Sequence, residues 1–284
     1  MSIALSIITP SFNSATTLRD TIRSVWEQDY RDFEHLVMDG GSTDETVAIL
    51  KEYPHLKWVS EKDQGHYHAM NKGIDRATGD VIAILNADDC YRPGVLGLVA
   101  AAFRDHPDWD GLFGDVVFVD GEGREMYRRK EAIYDYDTLR FAFNYVCHHT
   151  LFVKRSVYRE LGAYRYQQFK NACDYDFILR LGRARRRIGK IHEFLVNYRY
   201  HLQGQSLDRR IAENTVREMQ IVKREHGVPD GLPGGLCYLY GHARRQFQKL
   251  WHRGTCDLIP ATWILRKHMR EKTAFSSNIG LDKL

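Results

Sequence analysis

The chain predicts an α/β fold, a mostly parallel sheet flanked by helices, with a helical extension at its C-terminal end. Three observations carry this expectation. Strand and helix periods alternate over the first hundred residues with short connections, which favours parallel strands joined by right-handed crossovers. The segment Val81–Leu85 is apolar throughout, as a strand covered on both faces should be. After Ser206 the strand signal stops and a long helical pattern follows.

Taken in order, Ile3–Thr9 reads as a buried strand that stops at Pro10. Leu18, Ile22, Val25 and Trp26 recur at helical spacing and form one apolar stripe on a helix from about 16 to 28. Phe33–Met38 is a second strand. Ser42-Thr-Asp-Glu45 has the form of a capping box, opening a helix that carries Val47, Ile49 and Leu50. Lys57–Ser60 is a short third strand, and Met70, Ile74 and Ala77 share a face of the helix after it. Beyond Val81–Leu85 the pattern becomes mixed. Leu112–Val119 reads as a strand entering a hairpin at Asp120-Gly-Glu-Gly123, and residues 147–153 and 193–200 are also strand-like. Residues 174–187 form a helix with Phe177, Ile178, Leu181 and Ala184 on one side and arginines, expected in solvent, on the other. A helix after Ser206 runs to His226, where Pro229, Pro233 and the glycines near 231–235 break it.

The balance of 41 Lys/Arg against 37 Asp/Glu leaves a formal charge of +4, small for a bulk nucleic-acid binder, and the basic tail holds no recognisable nucleic-acid-binding motif. Residues 237–284 hold nine Lys/Arg and three Asp/Glu, more than the whole net charge, interleaved with Tyr238, Tyr240, Phe247, Leu250 and Trp251. That mixture suits a helix at an anionic membrane surface, although an ordinary helix packed on the domain is the favoured reading. No apolar run approaches the ~20 residues of a membrane span. The five cysteines are scattered without a C-x-x-C pair, and the opening residues lack a signal-peptide pattern. A soluble, reduced, cytoplasmic chain is expected.

In open parallel sheets, ligands bind outside the carboxyl ends of the strands. Pro10-Ser-Phe-Asn13, Asp39-Gly-Gly-Ser-Thr-Asp44, Glu61-Lys-Asp-Gln-Gly65 and Asn86-Ala-Asp-Asp89 all follow strands, so all four should crowd one edge. Two adjacent carboxylates, Asp88 and Asp89, suit a hard divalent cation that shares its shell with a diphosphate, or alternatively a turn capping a helix near Pro93. The paired glycines after Asp39 allow close approach of a flat ligand, or simply serve the turn. Neither G-x-G-x-x-G nor a P-loop motif is present, which argues against dinucleotide and P-loop folds.

Thr9-Pro-Ser-Phe-Asn13, Met38-Asp-Gly-Gly-Ser-Thr-Asp44, Asp63-Gln-Gly65 with Ala69-Met-Asn-Lys-Gly73, Gly79-Asp80 and Asn86-Ala-Asp-Asp89 occur in an order that resembles family 2 glycosyltransferases of the GT-A type. The resemblance spans about residues 3–205. It implies a Rossmann-like catalytic domain over 1–205, with a nucleotide-sugar half to about 110 and an acceptor half to about 205, followed by the extension 206–284. It further implies an inverting, Mn²⁺- or Mg²⁺-dependent transfer of a hexosyl or N-acetylhexosaminyl group from a nucleoside diphosphate sugar, with UDP expected. The acceptor would be a carbohydrate or lipid-linked hydroxyl in cell-surface polysaccharide or glycolipid synthesis, reached at the inner face of the membrane.

Carried over by motif, Pro10, Ser11, Asn13, Asp39 and Ser42 would hold the nucleotide. Asp63 and Lys72 would lie on its base and ribose side. Asn86 stands where many members have an aspartate and would contact the ribose, while Asp88, Asp89 and His201 would serve the metal. Asp174, in Asn171-Ala-Cys-Asp-Tyr-Asp176, would be the general base, with Asp176 second in line. The pair His148-His149 before a strand is a candidate contact to acceptor or phosphate, with His148 read as a satisfied structural group. A non-catalytic sugar-nucleotide-binding protein and a nucleotidyltransferase are the competing classes. The second lacks the glycine-rich basic loop it would normally carry after the first strand.

Overall fold

The computed structural model describes residues 2–200 and 209–253. Among them nine strands form one sheet: β1 (Leu5–Ser11), β2 (Phe33–Asp39), β3 (Lys57–Ser60), β4 (Val81–Ile84), β5 (Cys90–Tyr91), β6 (Gly111–Val119), β7 (Glu125–Arg129), β8 (Phe152–Lys154) and β9 (Ile188–Arg199). The spatial order is β3-β2-β1-β4-β8-β6-β9-β5, with β7 paired to β6. The half β3-β2-β1-β4 is parallel. The other half turns through the antiparallel β8 and returns with β6 parallel to β9.

Helices α1 (Leu18–Trp26), α2 (Thr46–Lys51), α3 (His66–Arg76) and α4 (Val95–Asp105) connect the first strands. α5 (Tyr136–Phe141), α6 (Arg155–Leu161) and α7 (Cys173–Arg183) belong to the second half, and α8 (Arg209–Glu225) and α9 (Gly231–Arg253) follow. Because side chains alternate along a strand, neighbours on β1 enter different cores. Ile8 packs with Met70 and Ile74 of α3 and Phe177, Ile178 and Leu181 of α7. Ile7 packs with Val25 of α1 and Leu96, Val99 and Phe103 of α4.

Several elements depart from the sequence reading for identifiable reasons. β1 runs through Pro10 to Ser11, with Pro10 in register with Met38 of β2. The Ile8 carbonyl accepts from Leu85, so residues of that parity face β4, which has ended before Pro10 would need a donor there. Trp26 does not join the apolar stripe of α1; it is exposed and stacks on His55 with ring centroids 3.9 Å apart. The capping box does not form. Ser42 Oγ bonds the Asp39 carboxylate instead, a charge-assisted partner, while Asp44 accepts from the Thr46 N–H at 3.0 Å. Nor do Asp88 and Asp89 cap the helix after Pro93, because the residue before α4 is Gly94, in the left-handed region with φ 78°.

In the second half, 147–153 is a short 3-10 turn, His148–Thr150, that leads into β8. β9 starts five residues earlier than its strand-like stretch. At its start Gly189 lies under Trp109: a Cβ there would fall 2.1 Å from Trp109 Cε3, and that ring is itself stacked on His106. Gly189→Ala should therefore destabilise the fold by ~1–3 kcal/mol. A melting temperature lowered by several degrees is expected, at ~2–4 °C per kcal/mol for a chain of this size; an unchanged melting temperature would show that the ring moves freely.

The arginines of α7 are not a bare solvated face. Arg180 donates to Asp176 and to the carbonyls of Leu161, Gly162 and Ala163, and Arg186, just beyond the helix, pairs with Glu160. The break after α8 falls at Gly227 (φ 75°) and Pro229. Pro233 does not prolong it, because it lies in the first turn of α9, where a missing N–H costs nothing.

Candidate active site

The loops after β1, β2, β3 and β4 gather at the carboxyl edge of the parallel half, as the topology requires. Asn13 adopts φ 49° and its side chain accepts from the Thr43 N–H at 2.9 Å, while the Asn13 N–H donates to Ser42 Oγ at 2.8 Å. Ser11 is buried at the end of β1 with its hydroxyl unpartnered, and Phe12 next to it is exposed. Asp39 is enclosed: Gly41 N–H, Ser42 N–H and Ser60 Oγ donate to its Oδ2 at 3.1, 2.9 and 2.6 Å, and Ser42 Oγ to its Oδ1. Its carboxylate thus folds the Gly40–Ser42 turn while Oδ1 retains an acceptor position.

Asp63 closes against that turn. A Cβ on Gly40 would lie 2.6 Å from Asp63 Oδ2, and Asp63 Oδ1 accepts from the Gly65 N–H at 2.8 Å. Lys72, on α3, pairs with Glu61 at 3.2 Å.

The acidic loop after β4 is held from two sides. Thr17, just before α1, and Thr21 within it donate to the carbonyls of Ala87 and Asp89, each at 2.8 Å. Arg199, at the end of β9, donates through Nε to the Asp88 carbonyl (3.1 Å) and through its N–H to Asp89 Oδ1 (2.8 Å). The two aspartates consequently differ. Asp88 is partly exposed, whereas Asp89 is 1% exposed and its Oδ2 lies 3.2 Å from His149 Nδ1. Burial, with Asp88 adding to it, pushes the Asp89 carboxyl well up; burial and the neighbouring His148 push the His149 imidazole well down. A neutral pair costs less in that interior than two separated charges. Asn86 keeps a buried Oδ1 without a partner.

Asp174 is the second residue of α7, and its side chain is 19% exposed. Tyr67 OH donates to Oδ1 at 3.0 Å. His148 Nδ1 and Asn144 Nδ2 each lie 3.5 Å from Oδ2. Burial works to raise this carboxyl, but His148, the Tyr175 N–H and the Tyr67 hydroxyl outweigh it and hold it below the usual range. Asp176 points away: it is fully buried between Arg165 and Arg180, which removes it as an alternative base. His66 completes the surroundings; burial and then His148 lower it to about 4.

Adjacent histidines on one 3-10 turn thus join the two acidic centres, His149 on Asp89 and His148 on Asp174, with their rings 3.7 Å apart. The sequence reading missed this for His148. A histidine pair before a short strand carries no spacing signal, and only the meeting of β4, β8 and α7 gives it meaning. His201 lies outside the described residues. Among the described residues no three His, Cys, Asp or Glu side chains converge as a metal cage. One partly exposed carboxylate, Asp88, beside an unpartnered Asn86 oxygen still fits a cation that takes most of its ligands from a diphosphate and water.

This fold is of the GT-A glycosyltransferase type. The architecture is similar to that of S. aureus TarS 1-349, with a TM-score of 0.59 at 17% identity over 89% of this chain and 76% of that one. It is equally similar to the mannosyltransferase PcManGT from Pyrobaculum calidifontis in complex with GDP-Man and Mn²⁺, with a TM-score of 0.59 at 17% identity over 99% and 77%. The profile of Glycosyl transferase family 2 matches residues 6–162, more than half of the chain, and the chain belongs to that family. Among its relatives is a PGL/p-HBAD biosynthesis glycosyltransferase of Mycobacterium bovis, 36% identical over 181 residues, covering 62% of this chain and 68% of that one. An uncharacterized glycosyltransferase of Mycobacterium tuberculosis is 40% identical over 114 residues, 39% of this chain and 44% of that one.

Proposed function

We propose that the enzyme is an inverting transferase that moves a hexosyl or N-acetylhexosaminyl group from a UDP-sugar to a hydroxyl of a carbohydrate or lipid-linked acceptor. Its setting would be polysaccharide or glycolipid assembly at the inner face of the membrane. The observation that carries the reading is the Asp174 carboxylate, held ionised at the start of α7 and tied through His148 and His149 to the acidic loop after β4. A TarS structure in complex with UDP-GlcNAc, TM-score 0.55 and 18% identical, and the PGL/p-HBAD relative lend support to donor and pathway.

In this reading residues to about 110 bind the donor and residues to about 205 the acceptor, with 206–284 an extension. Pro10, Ser11 and Asn13 line the nucleotide, and Asp39 offers its remaining Oδ1 position to the base. Ser42 fixes Asp39, Asp63 and Lys72 flank the base and ribose, and Asn86 meets the ribose. A bound Mn²⁺ or Mg²⁺ would sit at Asp88, with Asp89 setting the loop and His201 adding a ligand, and would supply Lewis-acid stabilisation of the departing diphosphate. Asp174 takes the proton from the acceptor hydroxyl as that oxygen bonds the anomeric carbon and the carbon–diphosphate bond breaks. One carboxylate suffices, because the diphosphate leaves without needing a proton, whereas a glycosidase needs a carboxyl pair.

Thermal shift with UDP, GDP, dTDP, CMP and NAD, each with and without Mn²⁺, tests the reading. A ligand at 100 times its Kd adds ~2.7 kcal/mol of stability. Stabilisation by UDP that depends on metal is expected, and no response to any nucleoside diphosphate would remove the proposal. Gly40→Ala refines it: the new methyl displaces the Asp63 carboxylate, whose exposed hydrogen bond from the Gly65 N–H gives way. UDP affinity should fall roughly tenfold, the worth of about one hydrogen bond, with the unliganded melting temperature little changed.

A further inference from the structure

A helix on a globular surface normally buries its apolar face and shows its charges to water. α9 does the reverse. Gly241, Arg245, Gln248 and Lys249 are buried, Lys249 to 1% exposure, while Leu236, Leu239, Phe247 and Leu250 point outward with Leu232 (80% exposed) and Trp251 (75%).

The inward side is locked. Arg244 Nε and Nη2 donate to Asp135 at 3.0 and 2.8 Å. Arg245 Nη2 donates to the buried Glu131 at 2.8 Å and its guanidinium lies 4.8 Å from the Phe143 ring centre. Gly241 lets the helix touch α5, where a Cβ would meet the Ala142 N–H at 2.9 Å. Turning α9 over would take the Arg245 and Arg244 partners away from Glu131 and Asp135, so the outward apolar stripe is a stable feature. From Leu232 to Trp251 it extends ~28 Å at ~1.5 Å per residue. A contiguous stripe of that length marks a contact surface rather than scattered surface apolar residues.

We propose that this face docks on an anionic lipid bilayer, lying in the headgroup region without crossing it. No described helix is long and apolar enough to span a membrane. The 231–253 sequence contains no Asp or Glu, so nothing on α9 repels anionic headgroups. The sequence that follows adds Leu258, Ile259, Trp263, Ile264 and Leu265 and then Arg266, Lys267, Arg270 and Lys272, the apolar-plus-basic composition that interfacial binding uses. Tyr240 and Trp251 carry a polar atom on an apolar ring, which favours the interface itself.

The inward side of α9 stands close to the chemistry. Phe143 lies under Arg245 of α9, and its neighbour Asn144 reaches Asp174 at 3.5 Å. Docking would keep the enzyme on the surface that carries a lipid-linked acceptor, a consequence that rests on the proposed function while the docking itself does not.

The full chain is floated with phosphatidylcholine vesicles, with and without phosphatidylglycerol, beside the variant Leu236→Ser/Leu239→Ser/Phe247→Ser/Trp251→Ser. The wild type should float with the phosphatidylglycerol vesicles, less so at high salt. The variant should stay in the dense fraction while keeping the wild-type melting temperature and nucleotide response. Failure of the wild type to float, or flotation of the variant to the same extent, overturns the proposal. So does concentration-dependent dimerisation of the wild type that the variant abolishes, which would make the face a contact between copies. Salt-sensitive flotation lost in the variant, in a chain that answers to no nucleotide, would leave the docking surface standing and remove the proposed function instead.

Discussion

Asp174→Asn should lower transfer by ~10²–10⁴, the usual worth of a general base, while donor affinity measured by thermal shift stays near wild type. The asparagine can keep the Tyr67 contact, so the fold should persist; turnover within a few-fold of wild type would take Asp174 out of the role. The pH profile sharpens the test. The folded-state pKa of Asp174 lies below the ordinary carboxylate value, so the base is ionised through neutrality and the rate falls only as pH drops through that depressed value. By the same sign, its contribution to stability is present above the unfolded carboxylate pKa and is lost on acidification through the folded one. Because His148 provides the foremost lowering influence, His148→Gln should move the acidic limb of kcat/KM upward in pH. An unmoved limb would mean that the histidine packs beside Asp174 without setting its charge.

The second large effect separates two adjacent aspartates. Asp88→Ala should abolish the metal-dependent part of donor stabilisation and leave the unliganded melting temperature nearly unchanged, because Asp88 is partly exposed. Asp89→Ala should do the opposite in the first instance. It removes the acceptor of the Arg199 N–H and the neighbour of His149, leaving buried polar groups unpaired at a cost of ~1–3 kcal/mol. Melting curves of the two variants with and without UDP and Mn²⁺ distinguish these outcomes. Equal loss of melting temperature in both would mean that the loop is structural throughout.

The periodicity of the first hundred residues was enough to place β1 to β4 and the helices between them, because a strand buried on both faces and a helix with one apolar stripe leave unmistakable patterns. The family and the motif order were legible for the same reason: chain-local motifs at strand ends need no tertiary information. Capping was less legible. Ser42 had a helix to cap and a carboxylate three residues back, and the stronger partner won.

What only the folded chain decided was the partner of each charged group across long sequence separations. Asp88 and Asp89 are neighbours in sequence, yet the pairing of β5 with β9 brings Arg199 under the loop and turns one of them inward. Asp174 and Asp176 both open α7, but Arg165 and Arg180 claim the second, while Tyr67 and His148 gather at the first. In sequence the basic residues of α9 alternate with aromatic ones and do not tell which side faces in; in the fold Arg245 and Lys249 are buried, with Arg244 beside them, because Glu131 and Asp135 lie beneath that side. Local sequence sets which residues can form an element. The charge and shape of the surface on which that element lands decide which of its faces is inside.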